Sequence, residues 1–144
     1  VAFVYFDASA LVKLIIDEPG SDVAAALLEG CDAALSSRLA YPEVRGAIAS
    51  WARRSGPSAA ERRSAEATWD ELWSQMRTIE LTPAVERAAG ELAARRALAG
   101  ADAVHLASAL VVDPADVVVA VWDRRLHAGA VAEGLAVAPA TLDA

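Results

Sequence analysis

Basic charge, cysteine and histidine are all scarce in this chain. Against 20 Asp and Glu there are only 13 Lys and Arg, a formal net charge of -7, which excludes a strongly basic nucleic-acid coat protein or a polybasic membrane binder. The one cysteine, Cys31, has no partner for an internal disulfide and no companions for a Cys-based zinc site, which favours a reducing compartment. Lys13 is the only lysine. No glycine-rich run precedes it, so a P-loop is excluded, and no late lysine completes a receiver-type phosphorylation site. With only two histidines, His105 and His127, Ser-His-Asp and zinc chemistries have little support and both residues read as structural. His105 lies one helical turn beyond Asp102, within reach of a supporting hydrogen bond. The opening stretch is interrupted by Asp7 and Lys13 too early to span a bilayer and has no leader pattern, so the expectation is a cytoplasmic protein with no membrane partner.

What the chain does have is apolar content. Its 144 residues are 56% hydrophobic and 23% charged, too apolar for intrinsic disorder, and a chain of this size is expected to form one domain over residues 1–144. Val1 to Phe6 is a continuous apolar run, the pattern of a strand buried on both faces of a parallel sheet. Asp116 to Trp122 has the same character, and Ala33 to Ser37, Arg77 to Leu81 and Leu135 to Ala138 read as shorter strands. Elsewhere apolar residues recur at three and four. Helices are predicted from Asp7 to the Pro19-Gly20 break and over Ser21 to Glu29, Pro42 to Arg54, Ala59 to Met76, Ala84 to Leu98, Gly100 to about Val112, and Arg124 to Glu133. Strands and helices in alternation imply right-handed crossovers, hence an α/β fold with helices covering a central parallel sheet of four or five strands.

In such sheets the ligand crevice lies beyond the carboxyl ends of the strands, near the point where strand order reverses. Asp7 follows the first strand and Asp123 the second strong one, so both carboxylates should face one edge. Glu43, early in the helix after Ala33 to Ser37, and Asp102, in the first turn of the Gly100 helix, can reach the same edge. Singly, an Asp at a helix start is more often a cap; their joint placement points further. Four carboxylates without counter-charge repel and raise one another's pKa values. A hard cation, Mg²⁺ or Mn²⁺, resolves this, held by one or two carboxylates directly and by others through water. Such a site can activate a water against a phosphodiester.

Four segments then carry a resemblance. "DASALVKL" (from Asp7), "SSRLAYPEVRGAIA" (around Glu43), "GADAVHLASAL" (around Asp102) and "VWDRRLHAGA" (around Asp123) resemble, in order and over nearly the whole chain, the acidic segments of PIN-domain nucleases. As a set they resemble the VapC-type toxins of bacterial toxin-antitoxin pairs. The resemblance implies a three-layer α/β/α fold and a metal-dependent endoribonuclease in which Asp7, Glu43, Asp102 and Asp123 are the catalytic quartet holding Mg²⁺ or Mn²⁺. It also implies Ser9 as a hydroxyl bonded within the cluster, an RNA substrate, a neutralising antitoxin and a homodimer. Two features depart from the pattern. Many relatives carry Thr or Ser shortly before the fourth acid, where Trp122 stands here, and Pro42 directly precedes Glu43.

Twelve of the thirteen basic residues are Arg, eight of them in adjacent pairs. Most read as solvated helix faces, but Arg124 and Arg125 beside Asp123 are candidates for bidentate contact with RNA phosphates. Trp69, Trp73 and Met76 fall on one stripe and read as core packing, with a partner groove as the alternative. Two rival functions remain: a metal-dependent phosphatase, whose second acid is replaced here by Ser9, and a non-catalytic interaction domain on the same fold.

Overall fold

A computed structural model describes residues 3–143; Val1 and Ala2, the start of the predicted first strand, lie outside that range. Five strands, β1 (Phe3–Phe6), β2 (Ala33–Ser37), β3 (Arg77–Ile79), β4 (Val117–Ala120) and β5 (Ala136–Ala138), form one sheet in the order β3-β2-β1-β4-β5. Every pairing is parallel. The chain winds outward from β1 to β3 on one side, then restarts with β4 on the other. The reversal therefore falls between β1 and β4, the place where an α/β sheet opens a crevice.

Alternation along β1 explains the three layers. Val4 and Phe6 point to one face, into a cluster with Leu11, Val44, Ile48 and Trp69. Tyr5 points to the other, among Leu92, Leu106, Val119 and Leu126. The first face is covered by α1 (Ala8–Ile15), α2 (Ser21–Gly30), α3 (Ala40–Ser55) and α4 (Ala59–Gln75), the second by α5 (Pro83–Arg96), α6 (Gly100–Ala109) and α7 (Arg124–Ala132). Trp69 is fully buried and its ring lies 5.9 Å from that of Tyr41 and 5.3 Å from that of Trp73. The stripe on α4 thus packs the helical hairpin, as its spacing suggests.

Several boundaries differ from the sequence expectation, each for a physical reason. β4 ends at Ala120 rather than Trp122 because its neighbour β1 runs out at the partnered Phe6. β3 ends at Ile79 rather than Leu81 because β2 stops at Ser37, opposite Ile79. α3 begins at Ala40, two residues before Pro42, which the first turn accommodates because its N–H groups need no helical partner. α5 stops at Arg96 because Ala97 turns left-handed, with φ 52°, and Leu98 folds back into the core. α6 ends at Ala109, short of Val112, with Leu110 as its cap. No helix among the described residues is long and apolar enough to cross a membrane.

Candidate active site

Two of the four predicted acids are placed by the same local device. Asp7 caps α1, its Oδ1 accepting from Ala10 N at 2.9 Å, and Asp123 caps α7, its Oδ1 accepting from Leu126 N at 2.9 Å. Each closes a strand-to-helix turn at the carboxyl edge of one of the two central strands. Capping and function are therefore compatible, since one carboxylate oxygen serves the helix and the other is left over. Ser9 ties the two turns together: its hydroxyl donates to Asp7 Oδ1 at 2.6 Å and accepts from the Trp122 backbone N–H at 3.1 Å. Asp102, in the first turn of α6, and Glu43, in the first turn of α3, sit in helices whose N-caps lack a side-chain hydrogen bond.

Asp102 links the four acids electrostatically. Burial pushes the Asp7 carboxyl up to about 6, against the pull of Ser9, His105 and the Ala10 N–H; the Asp102 charge raises it further. Asp102 is itself raised, by partial burial and then by the charges of Asp123 and Glu43. Among the described residues no lysine or arginine pairs with Asp7, Asp102 or Asp123. Among the described residues, the basic side chain that acts on Asp7 and Asp102 is His105.

His105 is where the structure adds most. Buried at 2% exposure, it spans two elements: Nε2 lies 2.6 Å from Glu43 Oε1 and Nδ1 lies 2.7 Å from the Tyr5 hydroxyl. Burial drives the Tyr5 pKa far up, so its hydroxyl keeps its proton in the hydrogen bond it shares with Nδ1. A carboxylate only accepts, so the Nε2–H donates to Glu43. β1 thus holds α6, and α6 holds the acid of α3. Tyr5 carried no functional expectation; the signal was a lone hydroxyl in an otherwise apolar buried run, which needs a partner. His127 instead donates to the Pro139 carbonyl at 2.8 Å, away from the acids.

Among the described residues no three His, Cys, Asp or Glu side chains are arranged to hold an ion by themselves, so the quartet is an open cluster rather than a closed cage. Its chemistry nonetheless fits a hard cation. The donors are all carboxylate oxygens, two of them with raised pKa values, and Mg²⁺ keeps several waters and needs one or two direct carboxylates. The two candidate arginines diverge. Arg124 donates to the Asp143 backbone carbonyl and lines a groove with Trp122, whereas Arg125 lines a separate groove of about 510 Å³ with Arg95 and Arg96. Successive residues on a helix point about 100° apart, so an adjacent pair serves different surfaces.

Comparison with known proteins bears on the family and the fold. The profile of the family described as "PIN domain" matches residues 4–131. The chain is 61% identical over 140 residues to Ribonuclease VapC45 of Mycobacterium tuberculosis (strain CDC 1551 / Oshkosh), covering 97% of each. Its fold is similar to that in the crystal structure of FitAcB from Neisseria gonorrhoeae, with a TM-score of 0.68 at 16% identity over 93% of this chain and 95% of that one. It is also similar to that of VapBC2 from Rickettsia felis bound to a promoter DNA fragment, with a TM-score of 0.62 at 12% identity, covering 94% and 96%.

Proposed function

The chain belongs to the PIN-domain family and is an RNA-cleaving hydrolase of the VapC type, and from that premise we propose that it is the toxin of a toxin-antitoxin pair, a Mg²⁺- or Mn²⁺-dependent endoribonuclease neutralised by a cognate antitoxin. What supports the metal dependence is that Asp7 and Asp123 close β1 and β4 at the reversal point of a parallel sheet, and that Asp7 and Asp102 are raised by burial and by neighbouring carboxylates, with no lysine or arginine paired to Asp7, Asp102 or Asp123 among the described residues. The family resemblance supports the antitoxin, a homodimer and a cytoplasmic location. Neither rival, phosphatase or non-catalytic domain, has an observation in its favour.

Asp7 and Asp102 hold the cation, and Glu43 and Asp123 complete the cluster or position water. When bound, the cation offsets the carboxylates' repulsion and supplies the Lewis acidity that lowers the pKa of water and takes up charge on the phosphodiester. Ser9 orients the Asp7 carboxylate. Tyr5 and His105 fix one oxygen of Glu43, leaving the other for the cluster. Asp123, exposed at the rim, meets the RNA as it arrives, and Arg124 and Arg125 take backbone phosphates on two sides. Because the chain carries -7 overall, affinity for RNA depends on the cation and these few arginines rather than on bulk charge.

Expression of the wild-type protein and of Asp7→Asn, with sequencing of newly formed RNA 5′ ends, tests this. Wild type is expected to generate new ends and arrest growth, while folded Asp7→Asn does neither. A folded Asp7→Asn protein that still cuts RNA contradicts the mechanism.

A further inference from the structure

Trp122 occupies a position that the acidic cluster does not use, and its surroundings are unusually specific. Its backbone is tied to Ser9 at 3.1 Å. Lys13 lies with Nζ 5.1 Å from the indole centroid and is itself anchored by Glu18 Oε1 at 3.0 Å and the Pro19 carbonyl at 2.9 Å. Gly20 approaches the same ring: a Cβ there would fall 2.9 Å from Trp122 Nε1, and its φ of +97° lies in the left-handed region. Only glycine satisfies both the space and the backbone. The turn after α1 is thus shaped around the indole.

The half-buried indole held in this way lines a groove of about 380 Å³, together with Val23, Arg124, Pro139 and Leu142. That volume falls within the ~300–1,000 Å³ typical of small-ligand pockets. None of the four acids lines this groove, but two of its lining residues, Trp122 and Arg124, flank Asp123 in the chain. We propose that it is a nucleotide subsite of the RNA substrate, in which one unpaired base stacks on Trp122 and the Arg124 guanidinium takes an adjacent phosphate. The proposal rests on RNA cleavage being the activity, and it names how that RNA is gripped. An acidic chain gains little from general phosphate attraction, so a stacking surface next to Asp123 in the chain supplies affinity that charge does not. Stacking needs a base out of its helix, so the subsite selects single-stranded RNA.

Binding of a short fluorescein-labelled single-stranded RNA of randomised sequence, followed by anisotropy in an Asp7→Asn background that prevents cleavage, with Mg²⁺ raised high enough to saturate its weakened cation site, tests the subsite. Trp122→Leu is expected to weaken binding roughly tenfold or more, and Trp122→Phe only about threefold or less, in line with the worth of one stacked base. Val23→Trp, which fills the groove from an exposed position without touching the platform, should weaken binding to a similar extent, and so separates loss of the site from loss of fold. Duplex RNA of the same length should compete poorly. If the wild-type protein cuts RNA while Trp122→Leu and Val23→Trp bind RNA as their parent does, the subsite is wrong and the ribonuclease stands. Variants that keep RNA binding but lose antitoxin binding would assign the groove to a protein partner and overturn the proposal. A wild-type protein that neither binds nor cuts RNA contradicts both.

Discussion

Asp7 and Asp123 are built alike and housed differently. Both end a strand-to-helix turn, and both cap the following helix through Oδ1 at 2.9 Å. Yet Asp7 is 3% exposed and linked to the half-buried Ser9 hydroxyl, while Asp123 stands in solvent at the rim. Burial raises the cost of an uncompensated charge, so the inner acid gains most from a cation and the outer acid least. The local device places a carboxylate; the environment sets how strongly it would depend on a bound cation. The same contrast extends to the other two acids, with Glu43 fixed from behind by His105 and Asp102 partly open between them.

The largest expected effect breaks the comparison at its inner end. Asp7→Asn keeps the cap, since Asn caps as well as Asp, and should lower cleavage by about a thousandfold or more. Asp123→Asn should cost far less. Equal losses in a steady-state cleavage assay would mean that burial does not rank the acids.

Next comes the support of Glu43. His105→Gln should lower cleavage by about 10–100-fold, as loss of a ligand's orienting partner does. Tyr5→Phe should act in the same direction more weakly, and the Mn²⁺ dependence of the rate should shift in both. A purely structural role predicts a lower melting temperature with an unchanged Mn²⁺ dependence.

A smaller effect reads the inner acid through stability. In the fold the Asp7 carboxyl sits at about 6, against about 3.9 when unfolded. Between those values the folded state holds the extra proton, so the metal-free protein should lose stability as pH rises from about 4 to about 7, by on the order of 2 kcal/mol. Asp102 is raised as well and adds to the same trend. Glu80 and Glu133, held low by arginines, act oppositely and below that window. Urea melts across the pH range without divalent ions measure this, and Asp7→Asn should flatten the slope.

The smallest effect concerns the rim. Arg124→Glu and Arg125→Glu should each weaken cleavage about fivefold, by about 1 kcal/mol, without altering cation binding. Because the two side chains serve different grooves, their effects should add.

The contrast also explains what was legible in the sequence. Continuous apolar runs located the strands, and acids at their ends marked a candidate site, because both follow from short-range pattern. Strand ends were overrun at Trp122 and Leu81, since a strand stops where its neighbour stops, and that is a tertiary fact. The His105 links were out of reach for the same reason: Glu43 lies 62 residues away and Tyr5 100. Nor does adjacency in sequence reveal that Arg124 and Arg125 part company, or that Trp122 rests on Gly20 from across the fold.

The central claim is that these acids are strained without a divalent ion and relieved by it, with Asp7 the most dependent. Titration of the purified protein with Mn²⁺ near neutral pH, with bound ion and melting temperature followed together, tests it most directly. Wild type should bind saturably and melt higher as it fills, and Asp7→Asn should bind at least about tenfold more weakly and gain little. A wild-type protein that takes up no ion, or an Asp7→Asn protein that binds and stabilises equally, would contradict the account.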